Sequence, residues 1–316
     1  MIDKRYPWQI DDYRYLLKLK GRLPQALLID GAKGLGGVSL ANAFIQSLLC
    51  ETPDLNGSYC GLCNSCSLYS LNSHPDYYCL NVEEDEKAIT ISSIRDTTEF
   101  LAVSTHLGHH KVVLVEDANL LNINSSNALL KILEEPPSYA VFILLSDNVG
   151  KILPTIVSRC QKYKLSVPDI SVAKAYLADK NIANSEFWLT YNNNCPLFNV
   201  EITEEQFDLL IKVLSKPSVD KIYDFTNSIE NKNNAIIFEF IIKWLSDLIS
   251  YKLTGVLKYF TAYEDAFIDL APKENTSKTF CLQDKLNFLL EWTSHPLNHK
   301  LQLENILFQY QQVFVK

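Results

Sequence analysis

Gly31-Ala32-Lys33-Gly34-Leu35-Gly36-Gly37-Val38 follows the apolar run Ala26-Leu27-Leu28-Ile29-Asp30 and leads into an apolar-periodic stretch that extends to residue 49. Strand, glycine-rich turn and helix in that order make the framework of a P-loop, in which backbone N–H groups and the helix N-terminus cradle phosphates. In a working loop a lysine follows the last glycine and reaches the β- and γ-phosphates, and a Ser or Thr after it ligates Mg²⁺. Here those two places hold Gly37 and Val38. Lys33 lies inside the loop and Ser39 comes one residue late, so neither is an obvious substitute. The expectation is a degenerate P-loop, Gly31, Gly34, Gly36 and Gly37, that does not hold ATP tightly. An ordinary glycine-rich turn would show the same residues, so the loop alone leaves both readings open.

Working outward, Lys111–Val115 and Tyr139–Leu145 are, like Ala26–Ile29, short and almost continuously apolar. Such runs suit strands covered on both faces, as in a parallel sheet wrapped by helices. Between the last two, Asn122-Ile123-Asn124-Ser125-Ser126 supplies N-cap chemistry for a helix carrying Leu129, Leu130 and Leu133, which Pro136-Pro137 ends. Alternating strand and helix signals over roughly the first 160 residues predict an α/β domain. After Val167-Pro168-Asp169 the strand signals fade. Ser171–Asp179 reads as a short amphipathic segment and Asn192-Asn193-Asn194 as a loop. From about Glu201 the pattern is helical, with one apolar face at Ile236, Ile237, Phe240, Ile241, Trp244, Leu245 and Leu248 and another at Leu301, Leu303, Ile306, Leu307 and Tyr310.

The chain has 316 residues, enough for two or three domains, with 47% hydrophobic residues and a net charge of −8. An acidic balance excludes nucleic-acid binding through the bulk field, so any DNA contact is local or is made by partners. The first residues, Met1-Ile2-Asp3-Lys4-Arg5, are charged and no apolar signal core follows; the most hydrophobic helix candidate is interrupted by Glu239 and Lys243. A cytoplasmic protein without membrane contact is expected.

Of eight cysteines, Cys50, Cys60, Cys63 and Cys66 form a C-x9-C-x2-C-x2-C cluster. Four thiolates from one short loop can surround Zn²⁺ tetrahedrally with no open coordination position, which makes the site structural. The C-x2-C-x2-C run also occurs in iron–sulfur ligation, but there the fourth cysteine follows the run. Reduced core cysteines are a third reading, and His74 and Cys79 are near enough in sequence to compete as ligands. Glu116-Asp117 ends the Lys111–Val115 strand, where P-loop ATPases hold Mg²⁺ with an Asp and orient water with a following Glu; here the order is reversed. Ser158-Arg159-Cys160 contributes an arginine that, taken alone, reads as a surface charge.

These words together resemble the delta-prime family of bacterial DNA polymerase III, in the clamp-loader branch of the AAA+ proteins. The matching stretches are Tyr6-Pro7-Trp8, Gly21-Arg22-Leu23-Pro24-Gln25-Ala26-Leu27-Leu28, the four-cysteine insert, His74-Pro75-Asp76, Asn127-Ala128-Leu129-Leu130-Lys131-Ile132-Leu133-Glu134-Glu135-Pro136-Pro137, Ser158-Arg159-Cys160 and His295-Pro296-Leu297-Asn298. The likeness is dense from residue 6 to about 165 and thins beyond. It implies an AAA+ domain over 1–165, a small helical lid over 166–202 and an all-α collar over 203–316. It implies further a five-membered hetero-oligomeric ring with gamma/tau-type motor subunits and a delta subunit, acting on the sliding clamp and primed DNA during DNA replication. In that family the arginine of the Ser-Arg-Cys motif enters a neighbour's ATP site, and the corresponding residue is Arg159. Active relatives also carry a lid arginine; the stretch Asn194-Cys195-Pro196-Leu197 offers none.

The expected function is therefore an ATPase-inactive clamp-loader subunit with structural zinc. One alternative is an ATP-hydrolysing subunit in which Lys33 and Glu116-Asp117 compensate. Another is a zinc-dependent nucleic-acid binder, against which the acidic balance weighs.

Overall fold

Three strands buried along nearly their whole length organise the N-terminal part, and the sequence shows why: Ala26–Asp30, Lys111–Val115 and Ala140–Ser146 are rich in Leu, Ile, Val and Phe. The computed structural model describes residues 5–82, 86, 88–180, 182, 184–200, 202–229, 234–291 and 299–315. Chain contacts divide it into two compact units, Met1–Ala173 with Cys195–Leu197, and Lys174–Asn194 with Phe198–Lys316. The stretch His295–Asn298 lies outside the described residues.

In chain order the first unit runs α1 (Ile10–Leu19), β1 (Ala26–Asp30), α2 (Gly37–Leu49), α3 (Asn64–Ser70), β2 (Tyr77–Leu80), α4 (Ile91–Ala102), β3 (Lys111–Val115), α5 (Ile123–Glu134), β4 (Ala140–Ser146), α6 (Pro154–Arg159), β5 (Gln161–Lys164) and the start of α7 (Ile170–Ala178). The five strands form one sheet in the order β2-β3-β4-β1-β5, and every pairing is parallel. Successive side chains of a strand point to opposite faces, and the core divides accordingly. Leu27, Ile29, Val112, Leu114, Val141 and Ile143 pack with Tyr13, Leu16, Leu40 and Phe44 from α1 and α2. Ala26, Leu28, Val113, Val115, Phe142 and Leu144 pack with Ile94, Leu129, Leu133 and Ile156 from α4, α5 and α6. This is a doubly wound sheet of the expected α/β class.

The strand order places a cleft. The chain leaves β1 toward β2 across β4 and β3, but leaves the adjacent β4 in the opposite direction, across β1 to β5. Neighbouring strands whose connections diverge leave a crevice beyond their carboxyl ends, where ligands of open α/β sheets bind.

The second unit is helical: α8 (Ser185–Tyr191), α9 (Glu204–Ser215), α10 (Val219–Ser228), α11 (Ala235–Thr254), α12 (Glu264–Leu270), α13 (Thr276–Glu291) and α14 (His299–Gln312). α9 starts at a capping box of Thr203 and Gln206, and α11 ends on Gly255 at φ +72°. The core is aromatic, with Trp188, Phe207, Phe240, Trp244, Phe260, Phe267 and Tyr310 in one cluster. Both predicted apolar faces enter it, except that Ile236 is only partly buried and outside the cluster and Leu301 is 61% exposed at the first turn of α14. Within the cluster the Trp244 Nε1–H donates to the Tyr310 hydroxyl at 2.9 Å, which donates in turn to Leu214 O, a last-turn carbonyl of α9, at 2.6 Å. Tyr310→Phe leaves both partners unsatisfied in a dry core, and the unfolding free energy from denaturant titration is expected to fall by about 1–3 kcal/mol.

Candidate functional site

The crevice beyond β1 and β4 is real and has a volume of ≈ 300 Å³, lined by the glycine-rich loop, Glu116, Asp117, Ser146, Asp147, Leu165 and Leu197. The loop is held by protein groups on both sides. Gly31 N donates to Ser146 O at 2.9 Å and Leu197 N to Gly34 O at 3.1 Å. From the other side the Trp8 indole donates to Leu35 O at 3.0 Å, while the Gln9 amide reaches Leu35 O at 2.9 Å and Gly36 O at 2.7 Å. Glycine is required where these contacts crowd the backbone. Gly36 sits at φ +80°, and a Cβ there would lie 2.6 Å from the Tyr6 ring; Gly34 sits at φ +90° with Leu197 O 2.7 Å from its would-be Cβ.

Gly37, the place of the missing lysine, is different. A Cβ there would meet only Leu165 Cδ1 at 3.5 Å, an ordinary contact. The backbone at the place of the missing lysine thus has room for a Cβ. Val38, in the place of the Mg²⁺-binding hydroxyl, is 41% exposed in the cleft wall.

The charges around the cleft are already engaged with one another. Lys33 Nζ lies 3.6 Å from Asp147 Oδ2. The Asn119 side-chain amide donates to Asp117 Oδ1 at 2.8 Å and Asp147 Oδ1 at 2.7 Å, and accepts from Ser146 Oγ at 2.8 Å. Asp117 also accepts Asn119 N at 3.0 Å, so its carboxylate caps a turn. The cleft lining therefore carries Glu116, Asp117 and Asp147 against Lys33, a balance unfavourable to a free polyphosphate.

Arg159 is at the far edge of the sheet from this cleft. It ends α6 and precedes β5 by one residue, on the side where parallel strands begin, whereas the loop follows the end of β1. Its Nη2 donates to Glu134 Oε1 at 2.6 Å and its Nη1 to Thr155 O at 3.0 Å. Both side chains are substantially exposed, so the pair contributes little stability and Arg159 can leave it at small cost. Ser158 Oγ donates to Thr155 O at 2.9 Å, which closes the same helix end. Burial pushes the Cys160 thiol up to about 11, and it serves as packing.

Cys50, Cys60, Cys63 and Cys66 come together with their sulfurs within 4.8 Å of one another, a set that could hold zinc. Cys50 Sγ and Cys63 Sγ are 3.9 Å apart, and tetrahedral Zn–S bonds of about 2.3 Å require sulfur–sulfur edges of about 3.8 Å. Backbone N–H groups already point at the sulfurs: Cys60 N to Cys50 Sγ at 3.3 Å, Cys63 N to Cys60 Sγ at 3.3 Å and Cys66 N to Cys63 Sγ at 3.4 Å. Donation from the Thr52 hydroxyl, with Leu62 and Cys63 N–H, pulls the Cys60 thiol down to about 6. Burial pushes Cys50 and Cys66 up, so those two need a cation beside them to ionise. The competing ligands do not join: Cys79 is on β2, and both ring nitrogens of His74 are used, Nδ1 by Asp76 N at 3.0 Å and Nε2 by Ser65 Oγ at 2.7 Å.

Sequence reading did not foresee the loop clamp of Trp8 and Gln9, the Asn119 bridge, or Glu134 as the partner of Arg159. Glu134 had been quoted within its motif, but nothing in the spacing pairs it with a residue 25 positions away.

A family profile described as "DNA polymerase III, delta subunit" matches residues 15–169. DNA polymerase III subunit delta' of Pseudomonas aeruginosa is 30% identical over 96% of this chain and 94% of its own length. The chain belongs to the DNA polymerase III delta' family. The delta' subunit of Escherichia coli K12 is 38% identical over 55% of this chain and 52% of its own length. The tau subunit of the same organism is 32% identical over 52% of this chain and 25% of its own length. Among the described residues no helix is long and apolar enough to cross a membrane.

The two neighbouring glycines are expected to behave oppositely. Gly36→Ala meets a positive φ and the Tyr6 ring, and should lower stability by about 1–3 kcal/mol. Gly37→Ala, in the first turn of α2, should be neutral or add up to about 1 kcal/mol. Chemical denaturation of the full chain measures both.

Proposed function

We propose that this chain is an ATPase-inactive subunit of a DNA polymerase III clamp loader, which helps load the sliding clamp onto primed DNA by completing a neighbouring subunit's ATP site. The observation that carries the reading is the separation of two half-sites within one unit. Its own cleft lacks the lysine and hydroxyl at Gly37 and Val38 and is lined mainly by carboxylates, while Arg159 stands at the opposite edge of the sheet. A guanidinium there cannot serve its own cleft, but it is free to stabilise charge on a phosphoryl group held by another subunit. A tau-type partner fits the name of one relative; gamma-type and delta partners in a five-membered ring are part of the proposal. The division into an AAA+ domain over 1–165, a lid over 166–202 and a collar over 203–316, and residence in the cytoplasm, belong to the same proposal.

Zinc on Cys50, Cys60, Cys63 and Cys66 completes it. Four sulfurs leave no position for substrate, so the ion's contribution is to folding.

In a reconstituted loader, Arg159→Ala is expected to leave assembly intact and to cut ATP turnover at the neighbouring site roughly tenfold or more; wild-type turnover would remove the trans role. The isolated chain should show no saturable binding of labelled Mg-ATP in the micromolar range. Binding abolished by Lys33→Ala would favour a compensated ATPase instead. Protein purified without added metal should carry one equivalent of zinc, and Cys63→Ser should lose both the metal and thermal stability.

A further inference from the structure

Three of the four clustered thiols come from one short run, but Cys50 is separated from Cys60 by a nine-residue gap and must be brought back to the others. Ser65, between Cys63 and Cys66 on α3, touches the chain on both sides of Cys50. Its hydroxyl donates to Leu49 O at 2.6 Å, and its backbone N–H donates to Glu51 Oε1 at 3.1 Å. Leu49 ends α2 and Cys50 is its C-cap, so Leu49 O is a carbonyl without a helical partner that Ser65 satisfies.

The serine is itself fixed from behind. Ser65 and His74 are 1% and 5% exposed. Asp76 N donates to His74 Nδ1 at 3.0 Å, so the ring's proton is on Nε2, which faces Ser65 Oγ at 2.7 Å. The direction is then set throughout: His74 Nε2–H donates to Ser65 Oγ, and Ser65 O–H donates to Leu49 O. Asp76, fully buried, anchors the histidine's end of the relay by accepting His106 N and Leu107 N at 2.8 Å each.

We infer that Ser65 and His74 are positioning residues for metal binding: they hold Cys50 against the C-x2-C-x2-C run so that the four sulfurs are gathered before the ion arrives. The inference rests on the zinc reading above and goes beyond it, because neither residue is a ligand. Groups that orient ligands in this way govern metal affinity nearly as strongly as the ligands do. A bracket that keeps one ligand from swinging away acts chiefly on the rate of metal loss.

The test uses the zinc-loaded full chain challenged with excess chelator, with release followed by a colorimetric zinc indicator and folding by far-UV circular dichroism. Ser65→Ala and His74→Ala are expected to release zinc about tenfold faster than wild type, with His74→Gln, which keeps a donor near the Nε2 position, in between. Unfolding of the same proteins stripped of zinc supplies the readout that mere packing would not move: Ser65→Ala should lose more stability with zinc than without. Glu51→Ala, an exposed change that cannot disturb the core, should also accelerate release and keeps the test decisive if Ser65→Ala does not fold. Wild-type release rates in folded Ser65→Ala or in Glu51→Ala, or equal stability losses with and without zinc, would overturn the positioning role. A wild-type chain that holds no zinc would instead sink the metal reading on which it rests.

Discussion

The structure depends on how the glycine-rich loop between β1 and α2 is held by protein groups. A buried backbone must find partners for its N–H and C=O groups, and in nucleotide-binding loops the ligand supplies many of them. Here protein donors take the loop carbonyls Gly34 O, Leu35 O and Gly36 O, and Ser146 O accepts the Gly31 N–H. The Trp8 indole and the Gln9 amide share Leu35 O, the Gln9 amide also reaches Gly36 O, Leu197 N takes Gly34 O, and Tyr6 covers Gly36. The three glycines with crowded would-be Cβ atoms, Gly31, Gly34 and Gly36, are those that this clamp requires. The fourth, Gly37, is not crowded. The loop's geometry and its charge chemistry are therefore separate: packing enforces the first at Gly34 and Gly36, while the places of the lysine and the hydroxyl hold Gly37 and Val38.

The parallel sheet makes that separation consequential. All five strands begin on one edge and end on the other. The cleft is at the ends, and the junctions α5–β4 and α6–β5, with Glu134 and Arg159, are at the beginnings. A strand of a few residues spans on the order of 15 Å, beyond the reach of an arginine side chain to its own cleft. Held by an exposed carboxylate and one carbonyl, Arg159 keeps a defined direction without being committed to its partner. At the cleft end Lys33 pairs with Asp147 and Asn119 bridges Asp117 and Asp147, so the remaining polar groups satisfy one another.

What could be read from the sequence follows burial. β1, β3 and β4 were legible because both faces are covered and the runs are apolar throughout. β2 and β5 were not. Tyr77–Leu80 is only four residues long, without a β-branched side chain and half-buried at one edge, and Gln-Lys-Tyr-Lys at the other is largely exposed and has no apolar run. The same reasoning explains Leu301, which has the right spacing for an apolar face but lies in the first turn of α14, in solvent. The thiol cluster was legible because all four ligands are close in sequence. The groups that hold it were not, since Ser65 to Leu49 and His74 to Ser65 are contacts between residues with no shared pattern. Arg159 could be singled out only by resemblance; its orientation came from the sheet.

The cysteine insert is also tied to the rest of its unit by contacts outside the ligands. Lys20, just past α1, donates to Ser47 O at 2.7 Å and to Gly57 O at 2.9 Å, and so joins the end of α2 to the insert's outer turn. Burial lowers the proton affinity of that ammonium, yet two carbonyls and no carboxylate receive it. Tyr13, on the buried face of α1, meets Ser58 Oγ at 2.8 Å. Through these three hydrogen bonds the insert braces the helix that follows the glycine-rich loop and the helix that packs beside it. An ion on the four thiolates would therefore stabilise more than its own loop: it would fix the carboxyl end of α2 while Tyr6, Trp8 and Gln9 fix its amino end. The loop keeps its shape because both ends of the helix behind it are held by protein contacts, through Trp8 and Gln9 at one end and Lys20 at the other.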